Sequence, residues 1–99
     1  MNFRAIFPIV DFKEEFNFDD CQSNEDFIRA IVNIYSTHSD SRVKEACLSV
    51  YMAYRDHYPS YLTTLTFEEQ KKLNLAVKLS TGKIIKLRRI ALSALSKVA

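Results

Sequence analysis

Glycine occurs once in these 99 residues, proline twice and tryptophan not at all. Tight turns draw on glycine and proline, and all-β domains need many of them, so the scarcity argues for a few long elements and against a sandwich or barrel. One glycine cannot build a glycine-rich phosphate loop. Long apolar runs are missing as well. The longest stretch free of Asp, Glu, Lys and Arg, His57 to Phe67, has 11 residues and contains Pro59, well short of the ~20 apolar residues of a spanning helix. The apolar run from Ala5 to Val10 ends at Asp11 and is too short for a signal peptide, so a cytoplasmic protein is the expectation. The two cysteines, Cys21 and Cys47, then read as reduced thiols, with Cys47 in a core.

A further absence is acid in the last third of the chain. All 12 carboxylates lie at or before Glu69, against 6 bases, whereas Gln70 to Ala99 holds 8 bases and no acid. The formal net charge of +2 therefore conceals two halves of opposite sign. Such sorting points to a basic surface that meets an acidic partner, or to a tail that neutralises its own acidic front.

What is present is helical punctuation. At 47% hydrophobic and 26% charged the chain is apolar enough to fold as one domain, residues 1–99. Ser23 with Asp26 three residues on resembles a capping box ahead of Phe27, Ala30, Ile31, Ile34 and Tyr35, predicting a helix from Asn24 to Thr37. Ser39, Asp40 and Ser41 offer caps for a second helix along Val43, Ala46, Cys47, Val50, Tyr51 and Tyr54, which must stop before Pro59. Thr66-Phe67-Glu68-Glu69 is a full capping box for a third helix ending near Ser80. Gly82 is the natural candidate for a left-handed turn into a fourth helix that runs to the end. The expected fold is all-α: about four helices in a compact bundle, with residues 66–99 as a basic C-terminal helical hairpin. Residues 1–22 form an acidic, Phe-rich segment, extended or briefly helical, with Pro8 opening a short helix that aligns Phe12 and Phe16.

The fourth helix has an unusually wide apolar side. Ile84, Ile85, Leu87, Ile90, Ala91, Leu92, Ala94, Leu95 and Val98 cover roughly 220° of its circumference, against the ~100° of an ordinary surface helix. Packing on two sides follows, at the centre of the bundle or, for part of the arc, against another chain, a second copy included, or against a membrane surface. Arg88 projects into that arc and needs a counter-charge, from an acid of the N-terminal half or from a partner. The acidic front is expected to dock there and bring its phenylalanines.

Chemistry has little support. Cys21, His38, Cys47 and His57 lack the short paired spacing of zinc ligands, so neither metal nor cofactor is expected. His57 reads as a helix C-terminal residue, and Asp11, Glu14, Glu15, Asp19 and Asp20 as a solvated face rather than paired catalytic carboxylates. No catalytic constellation emerges and an enzyme is not expected. A helix-turn-helix reading of residues 66–99 fails on Ile84, Ile85 and Leu87, which crowd the start of its second helix where base-reading side chains belong. The expected function is a small protein-binding module, such as an inhibitor, immunity-type protein or adaptor, using an apolar and aromatic helical surface at Tyr51, Tyr54, Arg55, Tyr58 and Arg88. The alternative is non-specific nucleic-acid binding through Lys71, Lys72, Lys78, Lys83, Lys86, Arg89 and Lys97.

Overall fold

Four helices occur where their caps predict them in the computed structural model, which describes residues 3–8, 16–80 and 82–98. Helix α1 spans Asn24–Thr37, and the Ser23 hydroxyl accepts from the Asp26 amide at its start. Helix α2 spans Ser41–His57, capped by Asp40 accepting from the Arg42 amide and stopped two residues before Pro59. Helix α3 spans Phe67–Leu79 with the reciprocal box complete: the Thr66 hydroxyl accepts from the Glu69 amide while a Glu69 oxygen accepts from the Thr66 amide. Helix α4 spans Gly82–Val98. Two short 3-10 helices complete the chain, Phe3–Ile6 and Pro59–Thr64. No strand occurs among the described residues, and the fold is a small all-α bundle.

The centre of the bundle is α2, not the C-terminal helix. Nine of its residues are buried, among them the small Ala46, Ser49 and Ala53, which let neighbours approach closely on several sides. Helix α1 packs on one side and α4 on another, while α3 touches α2 more lightly. Only Leu73 of α3 is fully withdrawn from water. The two C-terminal helices follow one another in sequence, but each finds its packing on α2. On α4 the buried positions reduce to Ile84, Ala91 and Leu95, leaving Ile85 and Ile90 in solvent. The broad apolar arc is thus only partly covered, because α2 and the Phe3–Ile6 turn together shield one side of the cylinder.

The N-terminal segment docks, as its phenylalanines require. Phe3–Ile6 packs against α4, with Phe3, Ile6 and Phe7 buried. The rings interlock: Phe3 stacks on Phe27 of α1 at 5.0 Å between centroids, Phe18 meets Phe27 edge-on at 5.0 Å, and Phe7 contacts Phe16 at 5.2 Å. Each such ring contributes about 1.5–3 kcal/mol through burial, with up to about 1.5 more from its aromatic neighbours. A helix aligning Phe12 with Phe16, and the acids Asp11, Glu14 and Glu15, fall outside the described residues; Pro8 itself is buried and not helical.

Gly82 does not terminate a helix. No described residue has positive φ; α3 ends instead on extended Ser80, whose hydroxyl donates back to the Ala76 carbonyl at 2.7 Å. Gly82 is the first residue of α4 and adopts an ordinary helical conformation.

Candidate functional site

The tyrosine series divides between core and rim. Tyr51 and Tyr54 are completely buried, which removes them from any partner surface. Their hydroxyls are also occupied. Tyr54 donates to Asn24 Oδ1 at 2.7 Å, joining the start of α1 to α2, and Tyr51 donates to Asn74 Oδ1 of α3 at 2.7 Å. Burial pushes both phenols up, Tyr54 the further. Tyr58 is partly buried and stacked on Tyr61 at 6.0 Å. Tyr58 and Tyr61 each keep part of their surface in solvent.

Arg55 and Arg88 converge on one carboxylate. Arg55 Nε donates to Asp56 Oδ1 at 2.9 Å and Arg88 Nη1 to Asp56 Oδ2 at 3.0 Å, while Arg55 Nη1 also reaches Asn74 Oδ1 at 3.1 Å. The counter-charge of Arg88 is therefore the last turn of α2 and not the acidic front. Burial raises the Asp56 pKa, but the two guanidinium groups outweigh it and hold the carboxyl below its usual range. The Arg88 Nε is buried and makes no hydrogen bond. This cluster fastens α2, α3 and α4 together and leaves Arg88 committed within the fold.

A second clamp ties α3 to α1. Arg29 grips both oxygens of Glu69, with Nη1–Oε1 at 2.9 Å, and donates to the Thr64 carbonyl at 3.0 Å. Since Glu69 also closes the capping box, its carboxyl is pulled down to about 2, first by Arg29 and then by the Thr66 amide. Cys47 shows the opposite effect, its thiol pushed up to about 12 by burial.

The free surface is elsewhere. Among the described residues the large exposed hydrophobics are Phe67 (77%), Leu75 (57%) and Leu79 (76%) on α3, with Ile85 (42%) and Ile90 (54%) on α4. All but Phe67 belong to the acid-free stretch from Gln70 onward. Lys71, Lys72 and Lys78 are exposed on α3, and Lys83, Lys86, Arg89 and Lys97 on α4. Of these bases only Lys83 leans toward an acid among the described residues, Glu45 of α2, at a loose 3.8 Å. A depression of about 430 Å³ with mostly apolar walls runs along α3, lined by Glu68, Lys71, Lys72, Asn74, Leu75 and Lys78. A smaller one of about 260 Å³ lies between α1 and α3, at Val32, Tyr35, Ser36, Glu69, Lys72 and Leu73. Sequence reasoning named the bases of this face for the alternative reading and placed Ile85 and Ile90 in the wide apolar arc of α4, but it did not single out Phe67, Leu75 or Leu79 as surface residues. Phe67 was legible only as part of a cap.

No family model, curated protein or solved structure matches the chain. Among the described residues no helix is long and apolar enough to cross a membrane, and no three His, Cys, Asp or Glu side chains gather in a way that would hold a metal ion.

Proposed function

We propose that the chain acts by binding another protein, as an inhibitor, immunity-type protein or adaptor, and that the contact is made by the outer faces of α3 and α4 rather than by the tyrosine stripe. The observation that carries this reading is the confinement of all large exposed hydrophobics in the described chain to these two helices, interleaved with bases. A small domain gains nothing in its own stability from such residues in water, and patches of this kind mark interaction surfaces. The free thiols at Cys21 and Cys47 fit a reducing, cytoplasmic setting.

Non-specific attachment to nucleic acid is the second reading, favoured by the exposed bases and the lack of acid beyond Glu69. Phosphates, however, make no use of the aliphatic members of the face. Affinity capture from the native cell separates the two when run with and without nuclease, using the wild type and a Leu75→Asp, Leu79→Asp variant. The expected result is a protein retained after nuclease and lost with the variant. Release of the bound material by nuclease overturns the first reading.

A further inference from the structure

The order of side chains around the outer helices narrows the partner's chemistry. Advancing about 100° per residue, Lys78 and Lys71 fall between Phe67 and Leu75 on α3, and Glu68 falls between Leu75 and Leu79. On α4, Arg89, Lys86 and Lys97 fall between Ile85 and Ile90. On α4 these bases hold the middle of the exposed arc; on α3 bases and large apolar side chains alternate, with Lys71 and Lys78 on one side of Leu75, and Leu79 and Lys72 on the other.

Resting on the protein-binding reading, we propose that the outer face of α3 takes an acidic amphipathic helix from another protein. Its apolar side chains would seat against Leu75 in the α3 depression and against Phe67 and Leu79. Its carboxylates would meet Lys71, Lys72 and Lys78.

Three other occupants fit less well. A helix lying in a bilayer keeps its apolar residues central and its lysines at the edges, where they snorkel; here Lys71 and Lys78 lie between Phe67 and Leu75, so burying the three apolar side chains together would drive both lysines toward the acyl region. Nucleic acid is gripped through phosphates and stacked bases, yet four of the five exposed apolar residues are aliphatic. A second copy of the chain fails by charge in one arrangement and by shape in the other. A two-fold contact sets lysine against lysine. A head-to-tail contact sets the apolar residues against Asp19, Asp20 and Asp26, a front with no large exposed hydrophobic among its described residues.

The test uses the full chain, isotope-labelled for NMR, and four probes: a synthetic helix of leucine and glutamate in amphipathic order, its twin with lysine for glutamate, phosphatidylserine-containing vesicles, and a random DNA duplex. The glutamate helix is expected to shift the amides of α3. Its affinity should fall about tenfold or more in a Lys71→Glu, Lys78→Glu variant and by a similar factor for the lysine twin. Both substitutions are at exposed positions and should leave the melting temperature unchanged, so lost binding is not lost folding. Equal binding of the two helices at α3 overturns the acidic-partner inference and leaves the protein-binding reading standing. Failure of the glutamate helix to shift α3 also overturns the inference, and if vesicles or duplex shift α3 in its place the protein-binding reading falls as well.

Discussion

Acid should release α3 before it unfolds the rest. The helix has one fully buried side chain, Leu73, so its attachment leans on the Arg29–Glu69 clamp and the Asn74 contacts. The Glu69 carboxyl sits at about 2 in the folded chain against an ordinary 4.5. For a depressed carboxylate the stabilisation is complete above the unfolded value and disappears as pH falls through the folded one, which places the loss between about pH 4.5 and 2. Glu69→Gln removes the charge while keeping an oxygen for the Thr66 amide, since glutamine also serves in a capping box. A two-pronged, partly solvated ion pair is worth about 1–2 kcal/mol, and Glu69→Ala should add about 1 kcal/mol for the cap. Native-state hydrogen exchange resolves this by helix: α3 amides should lose roughly tenfold protection in Glu69→Gln at neutral pH, with α2 unchanged. Wild-type α3 should lose the same protection on acidification, and Glu69→Gln should show no further step of its own. The Asp56 carboxyl is likewise held below its usual range, so the difference between wild type and variant is the quantity that counts. An acid step of equal size in Glu69→Gln, or simultaneous loss of protection in α2 and α3, refutes the reasoning.

Other consequences are simpler to read. Tyr54→Phe strands the buried Asn24 amide and should cost about 1–3 kcal/mol in denaturant unfolding, whereas Tyr51→Phe leaves Asn74 bonded to Arg55 and should cost about 1 kcal/mol or less; the reverse ranking would contradict the burial assigned to the pair. Gly82→Ala should raise stability by about 0.4–1 kcal/mol, because the position is helical and an added Cβ meets nothing within 4 Å; a lowered melting temperature would show that the turn needs glycine after all. Thiol titration of the native protein at neutral pH should find Cys21 reacting slowly, because burial and the nearby Asp26 and Asp20 raise its pKa, and Cys47 silent until denaturant is added, since Cys47 is buried with its pKa pushed up to about 12.

The helix boundaries were legible because caps are local. Ser23, Asp40 and Thr66 each act on an amide two or three residues away, and Pro59 stops α2 by its own covalent geometry. Burial was less legible, because it depends on what faces a helix and not on the helix alone. The projection of α4 places Ile85 and Ile90 in the same arc as Ile84, yet α2 and the N-terminal turn cover only one side. The tyrosines of α2 formed a clear stripe, but whether a ring lies inside or at the rim was decided by Asn24 and Asn74, which are 30 and 23 residues distant. Arg88 announced its need for a counter-charge without naming Asp56, 32 residues away. The candidate face suffered most: Leu75 and Leu79 lie about 200° and 240° around α3 from Leu73, so they cannot share its face, but which of the two sides meets α1 and α2 is set by the neighbours and not by the spacing.

Helix α3 is joined to the bundle chiefly by Glu69, Leu73 and Asn74, which meet α1 and α2. Phe67, Lys71, Leu75, Lys78 and Leu79 share none of that duty. On the proposed reading, folding and recognition draw on separate sets of letters within one 13-residue segment. A lineage or a designer could then rewrite the outward letters without repacking a single core side chain, and α3 would serve as an exchangeable reading head on a fixed mount.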